Sequence, residues 1–335
     1  MTRIAPRIKP RLALVTPALA DANNGNWQTA ARWARMLSAD YRVRLLPAWD
    51  GDARDELMVA LHARRSADSI HAWAQAHPGR PLILVLTGTD LYRDIREDRA
   101  AQRALREATR LVVLHERAID DLPAAQQAKA VVCLQSCAAR KTLRKPAGFV
   151  RAVVVGHLRP EKDPRTVMAV AKLLGGRPDI RIAHIGRSLV PELGQEAEAL
   201  SLMEGPYRWL GELEPAETRR CIQQAHVLLH ASLMEGGAHA VIEAVRSGTP
   251  VLASRVPGNV GLLGEDYGGY VPAGDAQALA ALLQRCRDDA AMLPRLQAQC
   301  AARAPLFEPA RERETLLWIV AETMKASDER PRTTS

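Results

Sequence analysis

Ser232-Leu-Met-Glu235-Gly236-Gly237-Ala238-His239-Ala-Val-Ile-Glu243-Ala-Val-Arg-Ser-Gly248-Thr-Pro250-Val-Leu-Ala-Ser254 is the stretch on which the fold turns. The apolar run 227–231 reads as a strand. A small loop with two glycines follows, then a helix that Gly248-Thr-Pro250 stops before a second apolar strand at 251–254. Strand, glycine turn, helix and strand in that order make the repeating unit of a parallel sheet covered by helices.

The turn is specific about its ligand. Glycines let a ligand approach the backbone, and the free amides of a first helical turn, backed by the helix dipole, favour phosphate oxygens. Glu235 stands just before those amides and Glu243 lies eight residues on, at most ~12 Å along a helix axis at ~1.5 Å per residue. That span suits a molecule with phosphate in its middle and hydroxyl-rich rings at both ends, such as a nucleotide sugar. Glu243 would hold a ribose diol, Glu235 the sugar, and the amides of Gly236, Gly237 and Ala238 the distal phosphate. On these residues alone, a buried strand–turn–helix with solvated or capping glutamates stands as an equal reading.

Composition narrows the field. The 335 residues are enough for two domains, and 47% hydrophobic content with only 4% aromatic describes a globular core of Ala, Leu and Val. The net charge of +8 is spread along helical segments rather than gathered in a basic tract with interleaved aromatics, so it reads as solvated helix faces with a few arginines kept for phosphates. Five cysteines, Cys133, Cys137, Cys221, Cys286 and Cys300, have no metal-ligand spacing and read as thiols in a reducing compartment. No apolar run approaches ~18 residues and residues 1–10 lack a hydrophobic region, so a cytoplasmic protein without a membrane span is expected.

Along the chain, strands are expected at 11–17, 41–48, 81–86, 111–114 and 130–134, with helices at 27–38 and 53–76. A polar stretch at 138–148 reads as an inter-domain linker, after which the pattern restarts with strands at 149–155, 180–185, 208–210, 227–231 and 251–254. A helical tail is expected over 275–325. The division expected is a first Rossmann-like domain at 1–145, a second at 146–308, a helix at 309–326 crossing back to the first, and a disordered tail at 327–335. Two doubly wound α/β domains facing each other across a cleft would bind ligands at the carboxyl ends of their strands.

In the first half two strand ends are equipped. Asn23-Asn24-Gly25-Asn26-Trp27 opens a helix after the first strand, and Thr87-Gly88-Thr89-Asp90-Leu91-Tyr92 makes a glycine turn with hydroxyls after the third. Asp90 reads as an N-cap ahead of a catalytic acid. In the second half, Gly156 ends a strand and Arg159 and Lys162 stand in the next loop. A departing diphosphate needs cations, and a forked guanidinium with an ammonium can serve without a metal.

Gly156 with Arg159 and Lys162, Gly186, Gly211, Glu235 and Glu243 with seven residues between them, and Gly248-Thr-Pro250-Val together resemble the donor domain of family 4 glycosyltransferases of the GT-B fold. The resemblance covers most of 150–320. It implies that Arg159 and Lys162 bind the donor diphosphate, that Glu243 binds the ribose, and that Glu235 and the amides after it surround the sugar and distal phosphate. Arg159, Lys162 and Glu235 are the residues expected to carry catalysis. Gly156, Gly186, Arg187, Leu210 and His239 complete the expected donor site, His239 being equally well placed to pack the helix. Gly237 stands where the family has an aromatic residue, so the sugar pocket transfers least.

The strings Thr16-Pro17, Asn24-Gly25-Asn26-Trp27-Gln28-Thr29-Ala30, Arg32-Trp33-Ala34, Leu86-Thr87-Gly88-Thr89-Asp90-Leu91-Tyr92 and Gln135-Ser136 resemble one subgroup, the selenosugar synthases of selenoneine biosynthesis. That resemblance implies transfer from UDP-N-acetylglucosamine or UDP-glucose to selenophosphate, giving a 1-selenosugar. It also implies a functional link to selenophosphate-producing and selenoneine-forming enzymes, with no cofactor beyond the UDP-sugar co-substrate and no metal. Gly25, Asn26, Trp27, Thr87, Gly88, Thr89 and Asp90 are the expected acceptor residues, with Arg93 and Arg96 nearby. The competing readings are a different acceptor (small alcohol, polysaccharide or lipid), a metal-dependent enzyme using Asp50-Gly51-Asp52, and a basic nucleotide- or nucleic-acid-binding module. Asp50-Gly51-Asp52 is expected instead to cap a helix from residue 53.

Overall fold

A computed structural model describes residues 9–17 and 25–329, and the chain separates into two compact units. One is formed by the chain up to Gln135 together with the segment from Ala310 onward, the other by Ser136–Pro309. Each is built on a six-stranded sheet whose recorded pairings are all parallel.

The first sheet holds β1 (Arg11–Val15), β2 (Arg42–Leu46), β3 (Leu57–Leu61), β4 (Leu82–Val85), β5 (Arg110–Val113) and β6 (Ala130–Val132) in the order β2-β1-β3-β4-β5-β6. The second holds β7 (Val150–Val155), β8 (Ile180–Ile185), β9 (Tyr207–Trp209), β10 (Val227–His230), β11 (Val251–Ser254) and β12 (Tyr270–Val271) in the order β12-β11-β10-β7-β8-β9. Each order reverses once, between β1 and β3 and between β7 and β10. Those reversals are where a doubly wound sheet opens a crevice at its carboxyl edge.

β3 corrects the expectation of one helix over 53–76. Leu57-Met-Val-Ala-Leu61 is wholly buried, with Leu57, Val59 and Leu61 in one core cluster and Met58 and Ala60 in the cluster on the other side. A strand covered on both faces is apolar at every position and carries no period-2 signal, and Leu, Met and Ala are good helix formers. The helix begins only at Ala67 and ends at Ala76.

Three other expectations change. Asp50-Gly51-Asp52 caps no helix: Asp52 bonds Arg11 Nη2 at 2.6 Å, and Asp55 bonds Arg44 Nη1 at 2.6 Å, a carboxylate–guanidinium cluster beside β1 and β2. Residues 138–148 are no free linker, since Arg140 N–H donates to Arg246 O (3.0 Å), Thr142 Oγ1 to Ser247 O (3.3 Å) and Lys145 Nζ to Gln223 O, binding the segment to the second unit. The tail 275–325 is three helices, Ala276–Asp288, Met292–Arg303 and Pro309–Asp328, with a 3-10 turn at Ala304–Phe307.

The helix Pro309–Asp328 runs past residue 327, where a tail was expected to begin, and residues 330–335 lie outside the described residues. It places Leu316, Ile319 and Val320 in the cluster formed by Leu12, Leu14 and Trp33. The buried Glu312 fastens it: Arg32 Nε donates to the carboxylate at 3.0 Å and Trp33 Nε1 at 2.7 Å. Among the described residues no helix is long and apolar enough to cross a membrane.

Candidate functional site

Three glycines end neighbouring strands of the second unit. Gly156 follows β7, Gly186 follows β8, and Gly211 lies two residues beyond β9. Gly156 N–H donates to Ile185 O (2.9 Å) and Gly186 N–H to Gly211 O (2.7 Å), so the edge is drawn tight. A Cβ on Gly186 would lie 2.1 Å from Gly156 O, and its φ is +150°. Only glycine fits, and the floor of the site is bare backbone. Trp209 Nε1 closes it from beside, donating to Gly186 O at 2.8 Å.

The loop after Gly156 is held over this floor. Leu158 N–H donates to Arg187 O (2.9 Å) and Leu189 N–H to Leu158 O (3.1 Å). His157 Nδ1 accepts from Arg187 N–H at 3.1 Å, a bond that needs a neutral ring, and burial lowers its pKa against the opposing pull of Glu212. The loop ends at Asp163, whose side chain caps the helix Pro164–Leu173. The stem of Lys162 crosses Gly156, its Cδ 3.5 Å from where a Cβ would stand, and Leu233 N–H donates to Glu161 O at 3.0 Å. Two loops from the strands flanking the sheet's reversal are thereby joined.

At that junction the Glu235 carboxylate bonds Lys162 Nζ, and His230 Nε2 stands 3.0 Å from the same Oε1. Burial alone would raise the carboxyl's pKa, but the charges of Lys162 and His230 outweigh it and hold the group well below the usual carboxylate range. Gly258, opening the helix Pro257–Leu263, lets that helix lie on Glu235: a Cβ there would come 2.0 Å from Glu235 O.

The helix His239–Arg246 begins at Ala238 with no side-chain cap. Its first-turn amides and dipole therefore offer an anion site beside Gly236 and Gly237. His239 Nε2 lies 3.9 Å from Glu243 Oε1 one turn along, so the two share a face. Arg159 Nε is buried, has no hydrogen-bond partner among the described residues, and is 4.0 Å from Glu161 Oε2. A buried donor left unpaired in the protein is a place for a ligand oxygen. Arg187 is half-exposed, 3.9 Å from Glu212 Oε2, and Leu210 presents an exposed side chain while its N–H is bound to His184 O.

Direct contacts thus join Gly156, Lys162 and Glu235, and join Gly186 and Arg187 to the strands beside them. His230 and Gly258 were missed by the sequence reading. The only signals were a polar ring closing the run Val227-Leu-Leu-His230 and a glycine just inside a helix start.

In the first unit, Gly25, Asn26 and Trp27 begin the helix Gly25–Leu37, while Asn23 and Asn24 lie outside the described residues. Gln135 Nε2 donates to Thr29 Oγ1 (2.6 Å), which donates to Gly25 O (2.8 Å). The side chain of Asp90 is committed to the backbone of two loops, so the expected helix N-cap is corrected. One oxygen accepts from Thr87 N–H and Gly88 N–H at 2.9 Å each and the other from Ala63 N–H at 2.9 Å. It shapes the loop in which Thr87, Gly88 and Thr89 stand.

The sequence profile of the family described as Glycosyl transferases group 1 matches residues 137–305. Glycosyltransferase 1 domain-containing protein 1 of Xenopus tropicalis is 26% identical over 208 residues, 55% of this chain and 59% of that protein. D-inositol 3-phosphate glycosyltransferase of Streptomyces griseus is 30% identical over 185 residues, 51% of this chain and 38% of that protein. The chain spans less than two thirds of either relative's length. Among solved structures, Anabaena HepE in complex with UDP and glucose has a TM-score of 0.74 at 15% identity, covering 93% of this chain and 100% of that one. Sucrose-phosphate synthase from Thermosynechococcus elongatus has a TM-score of 0.75 at 15% identity, covering 95% and 100%. The two Rossmann-like units are those of the GT-B fold.

Proposed function

We propose that this chain, which belongs to the glycosyl transferases group 1 family, moves the sugar of UDP-N-acetylglucosamine or UDP-glucose to selenophosphate and makes a 1-selenosugar. The observation that carries the donor half is the meeting of Lys162, Glu235 and His230 over the glycine floor, beside a helix start without a side-chain cap and the Arg159 Nε, which lies 4.0 Å from Glu161. Cations, uncapped amides and a buried carboxylate in one place match a diphosphate joined to a polyol.

In this reading Arg159 and Lys162 take the diphosphate and Glu243 the ribose. Glu235, relieved of Lys162, accepts from sugar hydroxyls. As the anomeric C–O bond breaks, its electron pair leaves on UDP, against the guanidinium, the ammonium and the amides of Gly236, Gly237 and Ala238. Selenium, already anionic, donates a pair to the anomeric carbon through an oxocarbenium-like transition state, so no strong general base is required. Water then cleaves the phosphorus–selenium bond and releases phosphate. No metal enters these steps. The acceptor half rests on the resemblance of strings in this sequence, Gln135-Ser136 and Thr87-Gly88-Thr89-Asp90 among them, to selenosugar synthases.

A second reading, transfer to another small phosphorylated acceptor, is favoured by the similarity to a D-inositol 3-phosphate glycosyltransferase. Mass spectrometry of products from each UDP-sugar mixed with selenophosphate, thiophosphate, phosphate or inositol phosphate separates the two. A selenosugar formed with selenophosphate supports the first reading. Its absence, with a product from inositol phosphate, replaces the first by the second.

A further inference from the structure

His62 follows β3 with φ +72°, and His62 and Asp163 are the non-glycine residues with positive φ among the described ones. Asp163 caps a helix, and His62 likewise accepts from the N–H three residues on, Arg65, at 3.3 Å, while its other ring nitrogen reaches a neighbouring loop. Its ring is 2% exposed, buried at the carboxyl edge of the first sheet beside the β1–β3 reversal, where a doubly wound sheet takes its ligand. Left-handed backbone is costly for a residue with a side chain and persists where the surroundings enforce it, commonly at functional sites.

The enforcing contacts are visible. His62 N–H donates to Val85 O at 2.8 Å, and Asp90 binds Ala63 N–H on one side and the Thr87 and Gly88 amides on the other. The loop after β3 is stitched to the loop after β4. His62 Nδ1 accepts from Arg65 N–H at 3.3 Å, so the ring proton sits on Nε2, which donates to Thr89 Oγ1 at 3.1 Å. Burial keeps the ring neutral against the pull of Asp90. With the ring N–H donated to Thr89 Oγ1, the hydroxyl proton of Thr89, a partly exposed residue, is left to donate elsewhere. The exposed Arg65 stands on the same stitched loop, and Arg64 is held at 3.1 Å from Asp98. Asp94 lies 3.9 Å from His62 Nε2 but is answered by Arg93 at 3.0 Å.

We propose that His62 is a positioning residue that aims the Thr89 hydroxyl at a phosphoryl oxygen of a small phosphorylated acceptor, with Arg65 as the counter-charge. This deepens the acceptor half of the proposed function and rests on that reading. An unprotonated phosphoryl oxygen accepts hydrogen bonds, and the Thr89 O–H and the Arg65 guanidinium on the loop stitched to it are both donors.

The test is calorimetry on the full chain, first with UDP, then with inorganic phosphate and thiophosphate while UDP is saturating, so that any diphosphate site is filled. Thr89→Val should weaken oxyanion binding about tenfold, the size of one lost hydrogen bond to a charged group. Thr89→Ser should stay within about threefold. His62→Asn, which tolerates the left-handed backbone, should weaken it about fivefold, and adding it to Thr89→Val should cost nothing further, because His62 acts through Thr89. UDP affinity and melting temperature should hold in the threonine variants. Phosphate and thiophosphate binding that is equal in the parent and Thr89→Val, or missing from the parent, overturns the proposal. Loss of UDP binding alone, with the Thr89 pattern intact, would sink the donor reading and leave this one standing.

Discussion

Lys162 and Glu235 are bonded to each other across the reversal of the second sheet, and His230 shares the same carboxylate oxygen from 3.0 Å away. The lysine ammonium is held against a buried carboxylate, and in the proposed function the donor diphosphate draws it off. Removing the cation leaves the buried Glu235 with His230 as its remaining partner, and stripping one side of a buried pair is the costly way to break it. Lys162→Met should lower the unfolding free energy by ~3 kcal/mol, and Lys162→Met with Glu235→Gln should recover most of it. Denaturant unfolding measures both; a neutral single variant would show the pair to be unimportant.

Donor contacts should separate by function. Arg159→Ala and Glu243→Ala should each weaken UDP binding by ~1.5–3 kcal/mol, the cost of a hydrogen bond involving a charged group. Arg159→Ala should slow turnover more than it loosens the nucleoside. Calorimetry that finds UDP affinity unchanged in both, and in Lys162→Met, would remove the donor assignment. EDTA should leave turnover unchanged, and a rate restored only by added divalent metal would contradict the mechanism.

Gly258→Ala should push Glu235 off its partners, since the new Cβ would sit 2.0 Å from Glu235 O. Overpacking of this kind costs ~1–3 kcal/mol or more and should reduce UDP affinity with it. At Gly176 a Cβ meets nothing within 4 Å, so Gly176→Ala is the control and should leave both quantities alone.

Glu312 accepts from Arg32 and Trp33 while fully buried, and it sits on the helix that closes the first core. Glu312→Ala strands two donors and should destabilise the protein by ~3–5 kcal/mol. UDP affinity, measured on whatever fraction stays folded, should not change. A melting temperature equal to the parent's would mean the helix is held by its apolar face alone.

His184 Nδ1 meets Tyr207 Oη at 2.9 Å, and burial brings its pKa down to about 4 from 6.5. The unfolded chain then binds a proton near pH 6.5 that the folded chain refuses until about 4. Stability therefore rises with pH across that window and is lost on acidification, by up to ~3 kcal/mol at ~1.4 kcal/mol per unit. His184→Gln should flatten the pH 4–6.5 part of the stability curve. A curve of the same slope would assign the acid sensitivity to other groups.

The parallel-sheet architecture and the glycine-ended loops of the second unit were legible because their signals are local. A glycine after an apolar run, a capping aspartate and a Gly-Thr-Pro stop act within a few residues of where they stand. β3 was not legible, because a strand buried on both faces shows the same apolar run as a buried helix. Asp90 looked like a cap and is instead the knot between two loops, which depends on Ala63 arriving from a neighbouring strand. His62 lay hidden inside the expected helix and drew no notice until its backbone was seen.

Sequence by itself determined the alternation of strands and helices, the glycine-ended edges, and the presence of Arg159, Lys162 and Glu235 in loops after strands and of Glu243 in the helix that follows, since each follows from near-neighbour sterics and hydrogen bonding. Only the tertiary structure decided that Lys162 spends its charge on Glu235, with His230 beneath, and that His62 points its ring at Thr89. Those partners are 73, 5 and 27 residues apart in the chain. They meet because sheet order, set by the packing of whole layers, brings the loops of neighbouring strands to one edge, and no local pattern carries that order.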